Sequence, residues 1–166
     1  MAQTQTQRHE HITALRSPTI TTGIAATSRP LSAGAASAAE ASIVARGLGA
    51  VGLTAIGLIH LLDAPGKYSE TPYMFWMYLA LIGSCLLGAA LLLRANTRLV
   101  WVAATALGGM PFIGFVLDRT TGLPGATGDI GNWTEPLGLA SLFVEACVVA
   151  LSLYGLALPR HAPTTP

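Results

Sequence analysis

Charged side chains are scarce in this sequence. Only 10% of the 166 residues are Asp, Glu, Lys or Arg, whereas soluble globular domains carry roughly 25%. Hydrophobic residues make up 52% of the chain, and the mean hydropathy is +0.56. Only lipid tolerates such an apolar surface over most of a protein. The composition therefore excludes an ordinary soluble domain and indicates an integral membrane protein in contact with the lipid bilayer.

Basic clusters, cysteine patterns and familiar catalytic motifs are also missing. The nine Lys and Arg residues nearly balance eight acids and form no basic patch, so we expect no nucleic acid partner. Cys85 and Cys147 lack C-x-x-C spacing, which excludes a disulfide scaffold and a zinc site. The sequence has no phosphate loop, H-E-x-x-H or G-x-S-x-G motif. This favours a non-enzymatic role and leaves any cofactor unidentified.

Four apolar segments dominate the rest of the chain. They lie at residues 43–62, 73–93, 99–117 and 137–158. Each is close to the ~20 residues that a helix needs to cross a hydrocarbon layer of ~30 Å. The predicted fold class is therefore all-α, an integral membrane bundle of four helices that run alternately up and down.

Polar tails are predicted at both ends of the bundle. Residues 1–42 are rich in Thr, Gln, Ser, Ala and Pro and show no apolar run, which predicts a disordered tail. The alanines at 32–41 favour an extension of the first helix, because Ala is the best helix former. Residues 159–166 are expected to form a short C-terminal tail.

The arginines predict the orientation of the bundle, because cytoplasmic loops are rich in Lys and Arg. Seven cations fall on the side shared by the two chain ends: Arg8, Arg16, Arg29, Arg46, Arg94, Arg98 and Arg160. The opposite side has only Lys67 and Arg119, beside five acids in the loops at 63–72 and 118–136. We therefore expect a plasma-membrane protein with both termini in the cytoplasm and an acidic outer face.

Glu145 is the one acidic residue inside an apolar segment. It lies about eight residues into the fourth segment, roughly 12 Å along the helix axis from the outer boundary. Carboxylates in hydrocarbon normally face a partner or a cavity, so Glu145 marks a candidate functional site. Gly138, Ser141 and Ser152 extend its helix face into a polar stripe. The alternative is a protonated carboxyl group that bonds only to a neighbouring hydroxyl or backbone group.

His60, Asp63 and Arg119 complete the candidate intramembrane site. His60 and Asp63 are three residues apart at the outer end of the first segment, so their side chains share a helix face. The imidazole could ligate a metal, relay a proton or pair with Glu145; alternatively it bonds only to Asp63 or to a carbonyl group. Arg119 could bridge to Asp63, Glu135 or a ligand anion, or could act only as an ion pair that fixes the loop.

The second outer loop supplies further candidates, namely Asp118, Asp129, Trp133 and Glu135. Asp129 in a Gly-rich segment is compatible with calcium, but the spacing of an EF-hand loop is missing, so the metal stays unidentified. Trp133 lies in an Asn-Trp-Thr glycosylation tripeptide, which we discount because it is common. Glu135 and Pro136 favour the start of the fourth helix, where the helix dipole suits an acid.

Two runs of sequence carry a resemblance. DRTTGLPGATGDIGNWTEPLGLASLFVE at residues 118–145 and IHLLDAPGKYSETPY at 59–73 look like a pattern in small integral membrane proteins of high-GC actinobacteria, a group with no assigned function. The scarcity of lysine beside eight arginines agrees with a high-GC genome. The resemblance covers residues 50–155 or so. It implies a four-helix membrane protein and transfers no catalytic residue.

Two functional hypotheses of different classes follow. The first is an accessory or structural subunit whose outer loops and small-residue helix faces dock onto a larger membrane complex or another copy of the chain. Its support is the small size, the short loops and the lack of a catalytic motif. The second is a polar site near the outer leaflet, formed by His60, Asp63, Arg119 and Glu145, that handles a proton, a metal ion or a quinone-like molecule. It explains why charge is retained where the bilayer penalises it.

Overall fold

Four helices make up most of the described chain. The computed structural model describes residues 29–158; residues 1–28 of the predicted N-terminal tail, and the predicted C-terminal tail, lie outside this range. The elements are α1 (Arg29–Glu70), α2 (Pro72–Arg94), α3 (Arg98–Thr120), a 3-10 turn at Thr127–Asp129 and α4 (Pro136–Ala157). No strand occurs within residues 29–158. The all-α prediction is therefore confirmed for this part of the chain.

Each of the four helices is long and apolar enough to cross a membrane, as the four apolar segments predicted. The qualifying part of α1, Ala36–Glu70, has 35 residues, and the other three helices have 22 or 23. Many large apolar side chains point away from the neighbouring helices; Leu99 is 77% exposed and Phe143 is 71% exposed. Such a surface suits contact with lipid or with another apolar surface.

α1 is longer at both ends than the first apolar segment. It takes in residues 29–42 of the predicted tail, which confirms the helix extension expected from the alanines at 32–41 and begins it a few residues earlier. At its other end it continues through Pro65 to Glu70, where a loop at 63–72 was expected. A proline removes one helix hydrogen bond, and here the remaining bonds carry the helix past it. Only Thr71 separates α1 from α2.

A polar cluster joins α1 to the turn between α2 and α3. Arg46 donates from Nε to the Leu92 carbonyl oxygen at 2.6 Å. A cation on the last carbonyl groups of α2 caps that helix and suits its dipole. Asn96 donates to Ser42 Oγ at 2.9 Å and accepts a hydrogen bond from Trp101 Nε1 at 2.8 Å. These contacts fasten the turn to α1 and to α3.

The apolar core lies between the helices, and small residues let the helices approach one another. Trp101, Leu53, Ile56 and Leu92 are among its fully buried side chains. A Cβ atom on Gly155 would lie 2.6 Å from the ring of Trp101. Since Asn96 holds the indole in place, the ring cannot simply move aside. The missing side chain of Gly155 is therefore what brings α4 against α3 at this level.

We expect Gly155→Ala to lower the free energy of unfolding by about 1–3 kcal/mol, the usual cost of overpacking a core. The measurement is a titration of unfolding with sodium dodecyl sulfate in mixed micelles. The matched control is Gly83→Ala, because a Cβ atom on Gly83 meets nothing within 4 Å. The control should be neutral or slightly stabilising, since Ala favours helix over Gly. Equal stability of the two variants would show that the Trp101 contact does not limit helix packing.

Candidate functional site

A cavity of about 820 Å³ lies between the helices and below the segment that joins α3 to α4. α2 and α3 make few contacts with each other, and each contributes seven residues to the wall of the cavity. His60, Asp63, Arg119 and Glu145 all line it. The four residues that were grouped into one intramembrane site from the sequence therefore line one cavity, to which three different helices contribute them, with Arg119 at the end opposite to Glu145.

The most buried polar group of the cavity wall is the carboxyl group of Glu145, in the third turn of α4. Its side chain is only 1% exposed. Ser141, one turn earlier on the same helix, donates its hydroxyl hydrogen to Glu145 Oε1 at 2.6 Å. The other oxygen, Oε2, has no hydrogen-bond partner in the part of the chain that the structure describes. A buried oxygen of this kind is costly unless something else approaches it.

His60 faces Glu145 across the bundle. Its Nε2 atom lies 4.0 Å from Glu145 Oε1, and its Nδ1 atom lies 2.9 Å from the carbonyl oxygen of Ile56, one turn earlier on α1. A carbonyl oxygen only accepts, so Nδ1 carries the hydrogen and donates it. In the neutral ring Nε2 then presents a lone pair toward Glu145. We refer to His60, Ser141 and Glu145 as the floor of the cavity.

Tyr78 joins the floor to Asp63. Its ring packs edge-on against the imidazole of His60 at 4.8 Å between centroids, and its hydroxyl group donates to Asp63 Oδ2 at 3.1 Å. Asp63 thus bonds to Tyr78. His60 bonds to a backbone carbonyl group, which is one of the partners expected for it from the sequence. Tyr78 is not among the candidate site residues that the sequence suggests. Its role depends on the register of α1 against α2, which no local signal in the sequence reveals.

Arg119 is the centre of an ion-pair network at the opposite end of the cavity. It is 6% exposed, and its guanidinium group lies 3.0 Å from Asp118 Oδ2, 3.1 Å from Asp129 Oδ1 and 3.2 Å from Glu135 Oε2. The group also stacks over the ring of Phe115 at 4.8 Å. Of the partners predicted for Arg119 from the sequence, Glu135 thus contacts it directly, whereas Asp63 bonds to Tyr78.

The segment at 121–135 is tied down over the cavity by three helices. Lys67 of α1 lies 3.5 Å from Asp129, Tyr73 of α2 donates to the Pro124 carbonyl oxygen at 2.8 Å, and Arg119 of α3 holds the segment through its ion pairs. The sequence analysis counted Lys67 only as an outer cation and missed this contact. Trp133 is absent from the cavity wall; its ring lies 6.2 Å from Phe115.

Charge of one sign predominates around the mouth of the cavity. Seven charged residues line this region, which we call the rim: Asp63, Glu70, Asp118, Asp129, Glu135, Lys67 and Arg119. Five carboxylates against two cations leave the rim with a net charge of −3 when all are ionised. Within residues 29–158, however, no group of three or more His, Cys, Asp or Glu residues is placed to hold a metal ion.

No protein-family model, no curated protein and no solved structure matches this chain. The geometry of the cavity is therefore what points to a function.

Replacing Arg119 with Met should destabilise the protein, because it leaves the carboxylates of Asp118, Asp129 and Glu135 close together without their shared cation. We expect a loss of about 2–3 kcal/mol, less than for a fully buried pair because Asp129 and Glu135 are partly exposed. Unfolding in mixed micelles measures the effect. The control is Arg98→Met, an exposed arginine on the same helix. A loss no larger than that of the control would mean that the network adds nothing to stability.

Proposed function

We propose that the chain is a plasma-membrane protein whose four helices cross the bilayer alternately up and down, with both termini in the cytoplasm. The order of contacts between α1 and α2 supports this: Arg46 contacts Leu92 near the end of α2, whereas His60 contacts Tyr78 near its beginning. One residue between α1 and α2 and three between α2 and α3 suit helices that reverse direction. The excess of arginines at the 95–97 turn supports a cytoplasmic location for that end.

Labelling of single cysteines tests this topology in intact cells. Gly128→Cys and Gly34→Cys are suitable because a Cβ atom at either glycine meets nothing within 4 Å; Cys85 and Cys147 are replaced by Ala in both variants. A membrane-impermeant maleimide should label the Gly128→Cys protein in intact cells and the Gly34→Cys protein only after permeabilisation. The reverse pattern, or equal labelling of both before permeabilisation, would contradict the proposed orientation.

The function that the geometry supports best is binding of a small molecule inside the bundle. One observation carries this proposal: Glu145, whose Oε2 atom is buried without a hydrogen-bond partner among the described residues, lines a cavity of about 820 Å³. Cavities of roughly 300–1,000 Å³ suit drug-sized ligands. The wall is mainly apolar, with methionine and leucine side chains from α2 and α3 between the charged rim and the floor. The ligand therefore has an apolar body and a polar head, and it reaches the floor from the rim or from the bilayer.

The accessory-subunit hypothesis stays a prediction beside this one. The apolar outer faces of the helices suit lipid and a partner subunit equally well, so they favour neither hypothesis. The cavity, in contrast, has no role in a purely docking protein. For this reason the second hypothesis from the sequence, a polar site that handles a proton, a metal ion or a quinone-like molecule, becomes the first, with a small molecule as the ligand. A metal ion as the ligand is the least supported version, because no three ligands converge within the described residues.

Filling the cavity should remove a bound small molecule. We expect native mass spectra of the full chain, purified in mild detergent, to show a co-purifying molecule that is lost in Gly114→Leu. Gly114 lines the cavity and has nothing within 4 Å of its Cβ position, so the new side chain enters the cavity without a clash. The matched control is Gly83→Leu, which adds the same side chain in open space on an exposed face outside the cavity wall.

The same spectra separate the two functional hypotheses. A small-molecule adduct that Gly114→Leu abolishes and Gly83→Leu preserves supports ligand binding. A stoichiometric protein partner that survives Gly114→Leu, with no small-molecule adduct on the parent chain, would contradict the proposal and favour the accessory subunit.

A further inference from the structure

We propose that the head group of the ligand is a protonated amine, attached to an apolar body. This inference rests on the proposed ligand-binding function and names the chemical class of the ligand. Three independent features of the cavity support it: the hydrogen-bonding groups left over at the floor, the charge of the rim, and the position of the one buried donor of the wall that has no partner.

When Glu145 is ionised, the floor has hydrogen-bond acceptors to offer and no donor left over. The hydroxyl hydrogen of Ser141 is used by Glu145 Oε1, that of Tyr78 by Asp63, and the Nδ1 hydrogen of His60 by the Ile56 carbonyl group. What remains is the lone pair of His60 Nε2 and the partnerless Oε2 atom of Glu145. A head group that satisfies both atoms has to supply N–H or O–H hydrogens.

Two further hydroxyl groups line the cavity wall, and neither changes this result. The hydroxyl group of Tyr73 donates to the Pro124 carbonyl oxygen. Ser84 lies on the wall without a part in these bonds, and a serine hydroxyl group accepts as readily as it donates. A quinone carbonyl group or another pure acceptor would face lone pairs at the floor. A donor with several hydrogens, such as an ammonium group, matches them.

Charge selects a cation among the possible donors. A ligand entering from the rim passes five carboxylates and two cations, and a net negative mouth concentrates cations. At the floor, an ammonium group next to an ionised Glu145 replaces the lost hydration of the carboxylate with a charge-assisted hydrogen bond, which a neutral alcohol does only in part. The net negative charge of the rim and the acceptors of the floor thus favour the same head group.

The one buried donor of the wall that has no partner does not make an anion site. Arg119 Nε has no hydrogen-bond partner among the described residues. The guanidinium group, however, lies within 3.0–3.2 Å of carboxylate oxygens of Asp118, Asp129 and Glu135. An anionic head group at this position would gain one hydrogen bond and would be repelled by three carboxylates. The rim therefore disfavours an anionic ligand.

Three probes with the same apolar body test the inference on the full chain in lipid nanodiscs. Naphthylethylamine carries both charge and N–H donors, its trimethylammonium analogue carries charge without donors, and naphthylethanol carries a donor without charge. Equilibrium dialysis measures binding, with empty nanodiscs as the reference for partition into lipid. We expect the amine to bind at least about tenfold more tightly than either analogue, since hydrogen bonds to charged groups are the strong ones.

Variants locate the binding at Glu145. Glu145→Gln keeps the size of the side chain and removes its charge, so it should weaken amine binding about tenfold or more while leaving naphthylethanol nearly unchanged. Cys147→Ser, an exposed position on the same helix, is the matched control and should leave binding of all three probes unchanged. Because the three probes are also compared on the unaltered chain, a folding defect in Glu145→Gln does not remove the test.

The outcomes distinguish this inference from the function on which it rests. Equal binding of the amine and the alcohol, or of the amine and the trimethylammonium probe, would overturn the ammonium head group. If Gly114→Leu abolishes binding of the alcohol or of the trimethylammonium probe, and Gly83→Leu does not, the cavity still binds small molecules. If Gly114→Leu affects none of the probes, the proposed binding function itself fails, and this inference fails with it.

Discussion

A carboxyl group in the middle of an apolar helix bundle has to find a hydrogen-bond donor, a proton or a ligand, and Glu145 imposes this constraint on its surroundings. Ser141 satisfies one oxygen from the same helix, and His60 approaches from α1 without donating. The second oxygen is buried without a partner among the described residues, and Glu145 lines the cavity that α2 and α3 help to enclose. The cavity and the incomplete hydrogen bonding of Glu145 are thus one feature, and the function proposed for the protein depends on it.

The charges of the rim are compensated in a different way from the charge of the floor. At the rim, Arg119 gathers Asp118, Asp129 and Glu135 around one cation, and Lys67 adds a second contact to Asp129. These ion pairs satisfy most of the charge within the protein and hold the 121–135 segment in place. At the floor a single carboxyl group has only neutral neighbours within hydrogen-bond distance. The rim is therefore suited to holding the 121–135 segment and to attracting a charged ligand, and the floor is suited to binding it.

The sequence predicts those features that depend on a single residue in its own segment. The four helices follow from apolar length, and Glu145 stands out because it is the one acid inside such a segment. Local sequence patterns do not reveal partners on other helices. Tyr78 and Lys67 reach the site only through the register of α1 against its neighbours. The predicted end of the first helix at residue 62 is wrong because only the apolar run stops there, whereas the helix continues through Pro65 and Gly66 to Glu70.

The orientation of His60 is set by its own helix. Because Nδ1 bonds to the carbonyl group of Ile56, one turn earlier on α1, and Tyr78 packs against the ring edge, the imidazole is held with Nε2 toward Glu145 whether or not the cavity is occupied. Ser141 fixes the carboxyl group of Glu145 in the same way, from within α4. Two acceptors on different helices are thus positioned before a ligand arrives. A ligand that donates to both loses little of its binding energy to ordering the protein.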